Sequence, residues 1–100
     1  MSEKKFQLHD YEIPIGDTYI LDGRKKFDSG SYSDLYYGKD IKRDEKVMIK
    51  LEPIDANKKF LLYESKLYTI FQGGMGIPKL RWYGSQGNYN ILVMDSVSQS

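Results

Sequence analysis

The sequence has no cysteine, one histidine, three prolines and no apolar run approaching the roughly 20 residues of a membrane span. Without cysteine there can be no disulfide, no thiolate chemistry and no cysteine zinc site, which is compatible with a reducing compartment. Net charge is close to zero. Fifteen Lys and Arg against fourteen Asp and Glu leave a net charge of +1. Such a balance gives no bulk field for nucleic acid or an anionic membrane. Met1 to Asp10 are polar and charged, unlike a secretory leader. These readings lead to an expected cytoplasmic or nuclear location. The single histidine, His9, lies in this polar stretch and reads as a solvated residue.

What is present points to one small domain of the α+β class. The chain has 100 residues, with 40% hydrophobic and 29% charged, enough for one core and too little for two. Nine tyrosines and four phenylalanines favour strands over a helical bundle. Residues 1–17 read as an N-terminal extension, with a turn at Pro14 and Gly16. A first strand starts at Tyr19 and runs through a basic stretch to Phe27. Asp28-Ser29-Gly30-Ser31 is a turn cluster. Ser33 to Gly38 reads as a second strand, with Leu35 and Tyr37 on one face. Val47 to Glu52 reads as a third. There Val47, Ile49 and Leu51 share one face, and Met48 and Lys50 the other.

A helix follows, with Asp55 or Asn57 as candidate caps and Gly73-Gly74 as its stop. Phe60, Leu67 and Phe71 form its apolar stripe, with Tyr68 beside them. Leu80 to Gly84 and Tyr89 to Asp95 read as two further strands around a Ser85-Gln86-Gly87-Asn88 turn. Three strands, one helix and two strands argue against a doubly wound sheet. The expected fold is a five-stranded, mostly antiparallel sheet with one packed helix.

Two charged residues stand out against this pattern. Glu64 lies four residues after Phe60 and three before Leu67, on the apolar stripe. Either it reaches solvent at the stripe's edge, or it is buried and needs a partner. Lys50 interrupts the apolar strand Val47-Met48-Ile49-Lys50-Leu51. It is either a solvent-facing strand residue or the natural partner of Glu64. The small-residue turn Ser29-Gly30-Ser31 is a third feature. Its backbone can approach a phosphate closely, although most such turns are only hairpins.

Taken together, these features resemble the small lobe of the casein kinase 1 family of serine/threonine protein kinases. Gly30-Ser31-Tyr32-Ser33-Asp34-Leu35-Tyr36-Tyr37-Gly38 is similar to its glycine-rich hairpin, and Lys50-Leu51-Glu52 follows as in that family. Leu62-Tyr63-Glu64-Ser65-Lys66-Leu67-Tyr68 resembles its αC segment. Gln72-Gly73-Gly74-Met75-Gly76-Ile77-Pro78, Arg81-Trp82-Tyr83-Gly84 and Asn90-Ile91-Leu92-Val93-Met94-Asp95 resemble the segments that follow. The likeness covers about residues 19–97, with the small lobe over 18–97 and a short hinge tail at 98–100.

The resemblance implies an ATP site. Lys50 would hold the phosphates and Glu64 would orient it. Phe27, Leu35 and Met48 would flank the adenine, with Met94 as gatekeeper. Asp95, Ser96 and Val97 would form the hinge, while Ser29, Gly30 and Ser31 would cover the phosphates. Magnesium would bind only with a large lobe present.

The sequence also departs from the family. Asp28 and Ser33 stand where two of the loop glycines belong, and Met48 where a small residue is usual. The 100 residues contain no His-Arg-Asp and no Asp-Phe-Gly segment, so this stretch alone is not expected to catalyse phosphoryl transfer. Nucleotide binding by this stretch alone is therefore expected to be weak or absent. The alternative is a non-catalytic, pseudokinase-like interaction module. A large lobe, a protein partner or a second copy are the partners left open, while nucleic acid and membrane are not expected.

Overall fold

The computed structural model describes residues 12–29, 33–57, 59–72, 74 and 76–96, and for residues 28 and 29 the backbone only. Gly30, Ser31, Gly73 and Val97, singled out above, lie outside the described residues. The elements are β1 (Glu12–Ile15), β2 (Tyr19–Ser29), β3 (Asp34–Asp40), β4 (Glu45–Pro53), α1 (Leu61–Ile70), β5 (Leu80–Gln86) and β6 (Tyr89–Asp95). The strands form one antiparallel sheet in the order β1-β2-β3-β4-β6-β5.

The α+β class agrees with the sequence reading, but the sheet has six strands where five were expected. The additional strand is β1, which had been read as part of an extension. Its alternation is clear: Ile13 and Ile15 are buried, while Glu12 and Pro14 are exposed. Proline is tolerated there because β1 is an edge strand.

Register explains the core. Val47, Ile49 and Leu51 pack with Leu21, Tyr36, Ile91 and Val93, and β1 adds Ile13 and Ile15. Gly38 lies on the same face. A Cβ there would sit 2.5 Å from the Ile20 carbonyl oxygen and 2.6 Å from Ile49 Cδ1, so only glycine lets β2 come this close. The sheet curls until its two edge strands meet. The Gly16 N–H donates to Gln86 Oε1 at 2.9 Å, and Gln86 Nε2 donates to the Pro14 carbonyl at 2.6 Å. Trp82 and Tyr89 pack against this inner core.

The opposite face holds a second cluster. Met48, Leu92 and Met94 pack on Leu61 of α1, with Leu35, Tyr37, Tyr68, Leu80 and Tyr83 around them. The expected alternation of Val47-Ile49-Leu51 against Met48-Lys50 is therefore found. The helix differs from expectation in two respects. Its start is not capped by Asp55 or Asn57, since the N-cap position is Phe60 and carries no side-chain cap bond. Its predicted stripe is not its buried face either. Leu61 and Ser65 are buried, whereas Phe60 is 40% and Phe71 55% exposed. Apolar residues lie on nearly every side of α1, so spacing alone could not choose the side that packs.

The β5–β6 hairpin turns at Gly87-Asn88, with Gly87 at φ 59° in the left-handed region that favours glycine. β6 is bonded to β4 and β5 on its two sides, so neither of its edges is open. No helix among the described residues is long and apolar enough to cross a membrane.

Candidate functional site

The second face of the sheet carries the polar groups. Strand alternation sends Lys50 to the same side as Met48, beneath α1. Glu64 sits one turn into α1 and points back at the sheet. Lys50 Nζ donates to Glu64 Oε2, and the Tyr68 hydroxyl donates to the same oxygen at 3.0 Å. The Lys50 and Glu64 side chains are only 18% and 15% exposed. The pair is therefore partly shielded, where charges attract more strongly than in water. Of the two readings open for Glu64, the partnered one is found. Tyr68 lies at i+4 on the helix, so one carboxylate is held from both its own element and the sheet.

The other expected site residues divide into three groups. Leu35, Met48 and Met94 come together in the cluster beside this pair. Phe27 lies at the cluster's margin, 51% exposed, with its ring edge-on to Tyr37 at a centroid distance of 5.2 Å. Ser29 ends β2 opposite Asp34. Asp95 ends β6, but its N–H donates to the Lys79 carbonyl at 2.9 Å and is not available to a ligand edge. Gly30, Ser31 and Val97 lie outside the described residues.

These residues fit a nucleotide unevenly. A shielded lysine held by a carboxylate suits phosphate oxygens. The apolar side, where the resemblance would set an adenine, is closely packed. Met48 and Met94 have exposures of 3% and 4%, packed against Leu61 and Leu92. A base could enter only by displacing them, which methionine's flexible chain permits at a packing cost. Among the described residues no group of three or more His, Asp or Glu side chains is arranged to hold a metal ion.

Two residues that the sequence reading did not assign organise the site. Glu52 is fully buried, yet every bond it needs is made. Its Oε2 accepts from the backbone N–H groups of Phe60 and Leu61 at 2.7 and 3.0 Å, and its Oε1 accepts from Asn90 Nδ2 at 3.1 Å. A carboxylate from β4 thus caps the start of α1, where its orphan N–H groups and dipole favour negative charge. Burial, followed by the Glu52 charge, pushes the Tyr83 phenol above its ordinary value. The signal for Glu52 was its register: two residues beyond Lys50, it must share that face.

Arg81 is the other. Its Nε donates to Asp95 at 2.6 Å, Nη1 to Asp40 at 3.1 Å and Nη2 to Glu45 at 2.7 Å. Burial alone would lower its pKa, but the bonds to Asp95 and Glu45 outweigh this and raise it. One guanidinium fork therefore ties the end of β6 to the β3–β4 turn. No local spacing could have signalled this, because the partners lie 14, 36 and 41 residues away. No protein-family profile matches the chain, so the site is read from its own geometry.

Proposed function

We propose that this chain is a small lobe of the casein kinase 1 type, in which Lys50, oriented by Glu64, holds nucleotide phosphates, and that it performs no phosphoryl transfer by itself. The observation that carries this reading is the shielded Lys50–Glu64 pair, braced by Tyr68 between a central strand and the single helix. A lysine kept in one place by a carboxylate needs little reorganisation to meet a phosphate. The chain would supply phosphate anchoring, while the base, metal ligands and substrate groups of a transfer reaction would come from a large lobe.

A second reading, a non-catalytic interaction module, is favoured by one observation. Met48 and Met94, which the resemblance sets beside an adenine, are buried against Leu61 and Leu92.

Methionine-methyl NMR with added Mg-ATP distinguishes the two readings. The small-lobe reading expects shifts at Met48 and Met94, a Kd near or above about 1 mM, and loss of the shifts in Lys50→Ala. Silence at all four methionines up to roughly 10 mM nucleotide, a concentration tenfold beyond that Kd, would discard nucleotide anchoring in favour of the interaction module.

A further inference from the structure

A groove of about 640 Å³ runs over strands β1 to β4, and Lys50 does not line it. Its apolar lining is Ile20, Tyr37 and Ile41, and its charged lining includes Lys25, Lys39 and Lys46 on one side of the ledger and Glu12 and Asp22 on the other. Register sorts these charges in space. Lys39 faces Lys46 directly across β3 and β4. Glu12 faces Asp22 directly across β1 and β2.

Like charges on opposed strand positions destabilise a sheet, so both pairs need an explanation. Each is half relieved. Asp44 pairs with Lys39 at 2.9 Å, and Arg24 with Asp22 at 3.3 Å. Lys46 makes no ion pair among the described residues. The groove thus has a cationic wall on β3 and β4 and a mixed wall on β1 and β2, where Lys25 and Arg24 offset Asp22 and Glu12 makes no ion pair among the described residues. Adjacent strands are about 4.8 Å apart, so the walls are separated by one to three such steps. Tyr37 lies on β3 two residues before Lys39 and is braced edge-on by Phe27.

We propose that this groove binds a dipolar aromatic phosphate monoester. Its phosphate would lie between Lys39 and Lys46, its ring against Tyr37 and Ile20, and a cationic group at Glu12. Ammonium–phosphate contacts are charge-assisted and strong for their size. The ring adds apolar burial and offset contact with tyrosine. Glu12, at the far edge from Lys46, favours ligands charged oppositely at their two ends. This site is independent of nucleotide anchoring at Lys50.

Amide NMR titrations of the whole chain with tyramine phosphate, phenyl phosphate and inorganic phosphate provide the test. Shifts should centre on Tyr37, Lys39 and Lys46, with tyramine phosphate binding about threefold more tightly than phenyl phosphate and inorganic phosphate weakest. Lys46→Gln should weaken both aromatic esters at least about fivefold, and Lys46→Arg should retain them. Glu12→Gln should remove only the advantage of tyramine phosphate. Lys50→Ala should leave all three titrations unchanged, which separates this site from the one that Mg-ATP probes. Shifts centred elsewhere, unchanged affinity in Lys46→Gln, or inorganic phosphate binding as tightly as the aromatic esters would each overturn the proposal.

Discussion

The two faces of β4 are built from adjacent residues and do opposite things. Val47, Ile49 and Leu51 enter a core that is apolar throughout and sealed by β1. Met48, Lys50 and Glu52 enter a layer where a helix is held by an ion pair, a buried carboxylate and a handful of apolar contacts. The first face needs only shape and burial. The second needs directed bonds, and each of its charges costs stability unless its partner is in place. A chain can therefore vary the second face for function while the first keeps the sheet folded.

That contrast can be broken at graded cost. Ile49→Ala, in the sealed core, should be the most damaging change, at about 4 kcal/mol by urea unfolding. A loss below about 1 kcal/mol would mean that the inner face is not the seat of stability. Glu52→Ala should cost about 3 kcal/mol, because two helix N–H groups and Asn90 lose their acceptor. Circular dichroism should register helix loss before the sheet melts. Ile15→Ala should cost about 2 to 3 kcal/mol. A near-neutral result would show that β1 is an ornament and not part of the core.

Lys50→Met should cost roughly 2 kcal/mol, since it leaves the largely buried Glu64 carboxylate with the Tyr68 hydroxyl as its side-chain partner among the described residues. It should act on ligand titrations as well as on unfolding. The smallest change should come from Asp22. Burial raises the pKa of its carboxyl, but bonds from the Arg24 backbone and guanidinium overcome this and hold it below the ordinary 3.8. A depressed carboxyl contributes stability above its unfolded pKa and loses it as pH falls through the folded value. Asp22→Asn should therefore cost under about 0.5 kcal/mol at neutral pH, with that difference vanishing in strongly acidic solution.

The sequence was most readable where period and chemistry were both local. The alternation of Val47 to Leu51 carries its own two faces, and a lysine inside it is conspicuous. Glu64 was conspicuous for the same reason, and together the two gave the ion pair. β1 was harder to see because four residues containing a proline make a weak strand signal. The helix misled in two ways. Its cap comes from β4, which no search of the preceding residues could find. Its apolar residues spread around the axis, so the stripe of Phe60, Leu67 and Phe71 looked like the packed side and is largely exposed. Arg81 was silent because its carboxylate partners are brought to it only by the finished sheet.

The Gln86 bridge between the two edge strands has a bearing on how the chain assembles. Its partner, Pro14, lies 72 residues upstream. Of the described strands β1 is made first, yet the residue that fastens it is made after every other one of them except β6. Until then Ile13 and Ile15 have no finished core to enter. Closing so long a loop costs chain entropy that only the completed sheet can offset. Of the described strands, the first in the chain is thus fastened by a bond that needs the fifth.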